Sequence, residues 1–152
     1  MTEYIDVLRA AFRSTRQSLS FDIDAVVVLP DHLHIVMTLP LEDRDFSNRV
    51  RLIKRRFTTG VANAGVSIPR HPNGEYALWQ RRFWEHTIRD DGDFARHVDY
   101  IHFNPVKHGL AVRVRDWPHS SFHSYVRRGV LPEDWAGDFA PDFRESFGER
   151  AG

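Results

Sequence analysis

The stretch VVVLPDHLHIVMTLP (residues 26–40) decides how this chain folds, because it joins a β-branched run to an alternating one across Pro30-Asp31. Upstream, FDIDAVVVL (residues 21–29) alternates and is rich in valine, the pattern of a strand. Pro30-Asp31 supplies a turn, and HLHIVMTL then alternates cleanly, so the two runs read as a β-hairpin. Leu33, Ile35, Met37 and Leu39 fall on one face of the second strand, with His32, His34, Val36 and Thr38 on the other. The expectation is that the leucine, isoleucine and methionine side fills the core and the histidines stand on the open face.

Helical spacing flanks the hairpin. From Thr2 to about Gln17, Tyr4, Ile5, Leu8, Ala11 and Phe12 recur at helical intervals, which predicts a helix capped by Thr2. From about Asp45, Phe46, Val50, Ile53 and Phe57 define one apolar stripe and leave Arg49, Arg51, Lys54, Arg55 and Arg56 on the remaining surface of a basic helix. Residues 63–77 carry Gly65, Pro69, Pro72 and Gly74 and read as a loop, after which LWQRRFWEHTI predicts a further strand. DDGDFARHVDYIHFNP predicts a helix capped by Asp90 or Asp91, with Asp93 in its first turn. That helix is expected to stop near Asn104, because Pro105 disfavours helical geometry in the residue before it. A short helix is expected after Ser120 and a loosely structured tail from Pro132.

The totals set limits. With 152 residues the chain has the length of one domain able to bury a core, read as residues 1–131 followed by an acidic tail, residues 132–152. There is no cysteine, which excludes disulfides, thiolate metal sites and a thiol nucleophile. A formal net charge of zero argues against binding nucleic acid by bulk charge alone, yet RVRLIKRRF (residues 49–57) and WQRRFWEH (residues 79–86) are locally basic. The N-terminus is amphipathic, with early acids, and no apolar run reaches membrane-spanning length, so a soluble cytoplasmic protein is the expectation.

Residues two apart on a strand lie side by side, so His32 and His34 can grip one cation. Taken alone, His-x-His in a chain with nine histidines more often marks half-exposed polar residues on an open sheet face. A helical projection of the segment around Tyr100 adds context: Phe94, Val98 and Ile101 share a face suited to the sheet, and Asp93, His97, Tyr100 and Asn104 form a second row at its rim. A tyrosine there also fits amphipathic packing with its hydroxyl in water, and Asn104 also fits a helix terminator. Together, two imidazoles, a phenol and an amide oxygen make a set able to cleave a phosphodiester, with a cation polarising the phosphate while the phenol attacks. A covalent phosphotyrosine keeps the bond energy and permits rejoining without ATP. Two imidazoles and an amide oxygen suit Mg2+ or Mn2+.

These residues carry a resemblance. Asp31-His32-Leu33-His34 resembles the His-hydrophobe-His signature of the HUH endonucleases. With LIKRRF, LWQRRFWEHTIRD and HVDYIHFNPVKHGL, the chain is similar to the single-tyrosine transposases of that group, above all the REP-associated tyrosine transposases. The similarity runs over roughly residues 1–125, and the block from Trp79 to Leu110 is its most specific part. The resemblance implies an α+β, ferredoxin-like sandwich with an antiparallel sheet. It implies metal binding by His32 and His34, with Asn104 as third ligand, and attack by Tyr100 on single-stranded DNA to leave a 5′-phosphotyrosine and a free 3′-hydroxyl. Hairpins in repetitive extragenic DNA are the implied substrate. The family pattern opens with a strand ahead of the first helix, and the chain starts almost at that helix, so whether the sheet has its first strand is left open.

Arg49, Lys54, Arg55, Arg56, Arg81, Arg82, Lys107 and His108 are the candidate DNA contacts, and Trp79, Phe83 and Trp84 offer faces for unpaired bases. The same arginines fit a solvated helix face, and the tryptophans fit an ordinary core better than a stacking platform. His86, His97, His102 and His108 are candidate auxiliary groups. Three functions follow: a strand transferase using Tyr100, a hairpin DNA- or RNA-binding module without chemistry, and a metal-dependent hydrolase using water. Monomer and homodimer both remain open.

Overall fold

The structure, a computed structural model, describes residues 1–74, 76–79 and 85–137. Its elements run in the order α1 (Ile5–Ser18, after a 3-10 turn at Thr2–Tyr4), β1 (Asp22–Val28), β2 (Leu33–Thr38), α2 (Phe46–Asn63), α3 (Asp91–Lys107), a 3-10 turn at Val114–Asp116, and α4 (Phe122–Arg127). The class is α+β, as expected, and among the described residues the sheet is a two-stranded antiparallel hairpin. Contacts resolve two compact units, Met1–Asp22 with Thr38–Phe83, and Ile23–Met37 with Trp84–Gly152.

The first unit is built on α1 against α2. Leu8, Ala11 and Thr15 are the buried face of α1, and Ile53, Phe57, Thr58 and Val61 belong to that of α2. Gly60 permits the close approach: a Cβ there would meet Val7 Cγ1 at 2.6 Å. Thr2 does not cap α1, whose N-cap is Tyr4 with no side-chain bond, the 3-10 turn having taken up the first residues. Asp45 does cap α2, accepting from the Asn48 N–H at 3.3 Å.

Arg49 is a correction to the expected basic surface of α2. It is 1% exposed, and its guanidinium donates twice to the Ser20 carbonyl (3.1 and 2.9 Å), twice to the Asp43 carboxylate (3.2 and 2.8 Å) and once to the Asp45 carbonyl (3.0 Å). A buried guanidinium is tolerated because nearly every donor finds an acceptor. Arg56 likewise turns inward, donating to Thr15 Oγ1 and Ser18 Oγ at 3.1 Å each and stapling α2 to α1.

In the second unit the hairpin turn is closed by the Leu29 N–H donating to the His32 carbonyl at 2.8 Å. That register puts odd positions of β1 and even positions of β2 on one face. Ala25, Val27, Leu29 and Val36 accordingly form one core with Val98 and Ile101 of α3, joined by Phe94, Trp117 and Tyr125. The expected orientation of β2 is therefore reversed: the histidine and Val36 side is the one α3 covers, while Leu33, Ile35 and Met37 are only half-buried. Alternation alone does not say which face a helix will choose, and Val36 among the histidines was the discriminating residue.

The other edge of β1 is met by residues 119–121. Val28 N–H donates to His119 O at 2.9 Å and Ser121 N–H to Val26 O at 2.8 Å, an antiparallel bridge leading into α4, the short helix expected after Ser120. Phe103, Val114 and Phe122 make a second core, against which Leu131 and Trp135 pack. The expected loose tail from Pro132 thus begins ordered, with Trp135 N–H turned back on Pro132 O at 3.1 Å, and residues 138–152 lie outside the described residues. Of the strand predicted over LWQRRFWEHTI, residues 80–84 lie outside the described residues, and 85–89 form no strand.

Pro105 does not end α3. The helix runs on to Lys107 and closes at Gly109 (φ 71°), with Leu110 N–H donating to Pro105 O at 2.8 Å and Gly109 N–H to Val106 O at 3.0 Å. This paired arrangement satisfies the last carbonyls. The proline costs one helical hydrogen bond, outweighed by burial of Phe103, Asn104 and Pro105.

Candidate active site

The turn and β2 present His32 and His34 with ring centroids 5.1 Å apart in an edge arrangement. Because their face is the one α3 covers, the His34 ring lies 5.5 Å from that of Tyr100, again edge-on. Tyr100 is 1% exposed and Asn104, one turn further along α3, is fully buried. The second row of α3 is therefore interior, not the rim the helical projection suggested. The structure brings His32, His34, Tyr100, Lys107 and His108 into one cluster through ring contacts and a hydrogen bond from Lys107 Nζ to the Tyr100 hydroxyl at 3.1 Å.

His32 is prepared for a ligand role. Its Nδ1 donates to Asp31 Oδ1 at 2.7 Å, while its Nε2 is buried with no hydrogen-bond partner among the protein atoms. That bond holds the Asp31 carboxyl below its usual range. A carboxylate fixing one ring nitrogen leaves the lone pair on the other, the arrangement found behind metal-bound imidazoles. The pair of imidazoles, with no thiol in the chain to draw softer metals, suits a divalent cation.

His108 sits at the C-cap of α3, its ring 5.5 Å from that of His32. Lys107, besides its hydrogen bond to Tyr100, holds its Nζ 4.8 Å from the centre of the Tyr100 ring. A cation at the last turn of a helix is favoured by the carbonyl dipoles there.

Arg49, Lys54, Arg55 and Arg56 belong to the other unit. Arg49 and Arg56 are committed to internal bonds, as above. Lys54 Nζ lies 5.5 Å from the Trp79 ring, burial lowering the pKa of its ammonium, and Trp79 in turn donates to Thr58 Oγ1 at 3.0 Å and contacts Phe57. Trp79 is thus half-buried and packed against α2. Of the four candidate contacts on α2, Arg55 is the exposed one. Arg81 and Arg82, with Phe83 and Trp84, lie outside the described residues.

His86 and His97, expected only as auxiliary groups, form a second polar cluster with Asp93. His86 Nε2 donates to Asp93 Oδ2 at 2.7 Å, His97 Nδ1 donates to the Asp93 carbonyl at 2.8 Å, and the two rings stack 4.7 Å apart at 11°. Three atoms able to ligate a metal lie within 4.8 Å here. Asp93 also accepts from the Arg89 N–H at 3.0 Å and has the Arg89 and Arg96 guanidinium groups at 3.5 and 3.6 Å, so its charge is already met. The His86 hydrogen bond, before the other causes, holds the Asp93 carboxyl far below its usual range. This is an ion-pair network anchoring residues 86–89 to the first turn of α3. Its signal was present as Asp93 and His97 four apart on the helix, without a way to see His86 arrive.

His102 is fully buried, bonded through Nε2 to Ser121 Oγ at 2.8 Å, and burial pushes its pKa down to about 4. Ser121 Oγ also accepts from Val26 N–H at 2.9 Å. The pair ties α3 to β1, and its role is structural.

No family model matches the chain. A REP-associated tyrosine transposase of Escherichia coli (strain K12) is 47% identical over 150 residues, spanning 99% of this chain and 82% of that protein. A Haemophilus influenzae (strain Rd) protein to which the same name is provisionally attached is 43% identical over 146 residues, 95% of this chain and 82% of its own length. Among solved structures, that of a REP-associated tyrosine transposase bound to a REP hairpin matches with a TM-score of 0.81 at 47% identity, covering 99% of this chain and 81% of the other. With relatives this similar over nearly its whole length, and the histidine pair and Tyr100 held together in a matching fold, the chain belongs to the REP-associated tyrosine transposases.

Proposed function

We propose that the protein is a metal-dependent enzyme that nicks and rejoins single-stranded DNA at hairpin-forming sequences, with Tyr100 as nucleophile. The observation that carries this is the edge contact of His34 with Tyr100, next to a His32 whose Nδ1 is locked by Asp31 and whose Nε2 is turned away from any protein partner. The hairpin as substrate rests on the relative whose structure holds a REP hairpin.

His32, His34 and Asn104 would hold the divalent cation, Mn2+ or Mg2+, Mn2+ being the better match to nitrogen ligands. Once bound, such an ion supplies Lewis acidity toward a non-bridging phosphate oxygen. The residues of the chain do the rest. Tyr100 is held rigid by burial in α3, so its oxygen is aimed without loss of rotamer freedom at the moment of attack. The Tyr100 oxygen bonds to phosphorus as the phenol gives up its proton, the bond from phosphorus to O3′ breaks, and O3′ takes a proton as it leaves. The reverse step, attack of a 3′-hydroxyl on the phosphotyrosine, rejoins the strand. Arg55 offers an exposed cation for backbone phosphate.

The test is incubation of purified protein with end-labelled hairpin DNA carrying single-stranded flanks, with Mn2+, Mg2+ or chelator. The expected result is a denaturant-resistant protein–DNA band that needs the metal and is absent in Tyr100→Phe. Hairpin binding with no band under any metal would instead mark a binding module. Cleavage retained in Tyr100→Phe would mark a hydrolase using water.

A further inference from the structure

We propose that Lys107 is a catalytic residue that acts on the Tyr100 oxygen itself, beyond any contact it makes with DNA; this rests on the strand-transfer reading above. Its Nζ donates to the Tyr100 hydroxyl at 3.1 Å and lies 4.8 Å from the ring centre. The pairing is built into the helix. Seven residues separate the two, nearly two whole turns, so both side chains rise from one face of α3. The closure at Gly109, with its paired bonds from Leu110 and Gly109, fixes the turn from which Lys107 projects.

An ammonium group has donors and no acceptor, so the phenol oxygen is the acceptor in this bond and a lone pair is drawn to a defined direction. Tyr100 is nearly inaccessible to water, and in such surroundings a fixed cation acts on its neighbour far more strongly than in solvent. When the Tyr100 oxygen bonds to phosphorus and O3′ departs with the electron pair, the proton the phenol gives up is balanced by the one O3′ takes, and the negative charge that passes over the Tyr100 oxygen is met by Lys107. When a 3′-hydroxyl later attacks phosphorus, the bond from phosphorus to the Tyr100 oxygen breaks, and the leaving phenolate departs beside the same cation before taking back a proton. One lysine thus serves both directions, the economy a reversible transfer requires. Electrostatic groups of this kind lose about a hundredfold in rate when removed.

The experiment compares wild type, Lys107→Met and Lys107→Arg by single-turnover formation of the covalent adduct. Hairpin affinity is measured separately in a Tyr100→Phe background with and without Lys107→Met. A loss of about a hundredfold in adduct formation in Lys107→Met, recovery to within tenfold in Lys107→Arg, and hairpin affinity changed less than threefold would support the role. A further mark is partial rescue of Lys107→Ala by a small alkylamine, which a packing defect would not show. Adduct formation within threefold of wild type in Lys107→Met, or a loss matched by an equal loss of affinity, overturns it. If wild type forms no adduct while the hairpin binds, the strand-transfer reading falls and the role of Lys107 falls with it, an outcome distinct from a working enzyme indifferent to Lys107.

Discussion

Replacing Arg49 by Met separates a structural arginine from a DNA-binding one. The methionine keeps most of the buried stem but removes all five hydrogen bonds made by the guanidinium to Ser20, Asp43 and Asp45. Bonds to a charged group contribute roughly 1.5–3 kcal/mol each when lost singly. The Asp43 side chain is 34% exposed, so water recovers much of its share, whereas the Ser20 carbonyl loses both donors. The net loss is placed at about 3 kcal/mol, the low end for breaking a buried pair. For a chain of this length that lowers Tm by roughly 6–12 °C. Arg55→Ala, at an exposed position, should shift stability by less than about 0.5 kcal/mol. Hairpin binding reverses the order: Arg55→Ala should reduce the slope of log affinity against log salt by about 0.7–0.9, one phosphate contact, and Arg49→Met should leave it unchanged. Thermal denaturation and binding titrations at several salt concentrations read both. An Arg49→Met protein that melts like wild type yet loses a phosphate contact would refute the assignment of Arg49 to the interior.

Asp31→Ala should weaken Mn2+ binding by roughly 10- to 100-fold, measured by calorimetry, because the His32 ring loses the carboxylate that orients it; unchanged affinity would mean His32 is not a ligand. His102 should make the fold acid-sensitive: its pKa is about 4 folded and 6.5 unfolded, so the uncharged ring is favoured by folding. Its contribution is intact above about pH 6.5 and declines as pH falls toward 4, by up to about 3 kcal/mol. Asp43 and Asp93, both depressed below 3.8, lose their contributions only at lower pH, whereas burial raises the Asp99 carboxyl, so the histidine is read from the difference between wild type and His102→Gln in urea midpoints from pH 7 to 4.5, the substitution flattening that part of the profile. Gly60→Ala should be net destabilising by about 1 kcal/mol: helix propensity favours alanine by roughly 1 kcal/mol, but the clash with Val7 costs about 1–3 kcal/mol, and a rise in Tm would show that α1 yields freely.

Much of this architecture is legible in periodicity. The Leu8 and Ala11 face of α1, the Ile53 and Phe57 face of α2, the Val98 and Ile101 face of α3 and the Pro30-Asp31 hairpin all lie where spacing puts them. What was not legible depended on partners distant in the chain. Arg49 looks like a surface residue until Ser20 and Asp43 are seen to surround it. Pro105 looks like a helix stop because local sterics say so, and only burial of the surrounding residues and the glycine closure at Gly109 show why it is not. The histidine face of β2 was assigned to solvent because histidines are polar, yet Val36 beside them packs under α3, which is how Tyr100 reaches His34. For the cluster itself, the sequence carries the histidine pair and Tyr100 as residue types at suggestive spacings. The Asp31 bond to His32 and the Lys107 bond to Tyr100 emerge only in three dimensions.

In the proposed reaction Tyr100 becomes covalently joined to DNA. The most direct measurement is to trap the adduct formed with a metal and hairpin DNA, digest protein and DNA, and locate the residual nucleotide on the peptides by mass spectrometry. A 5′-linked nucleotide is expected on the peptide containing Tyr100 and on no other. A nucleotide on another residue, or cleaved hairpin with no modified peptide, would contradict it.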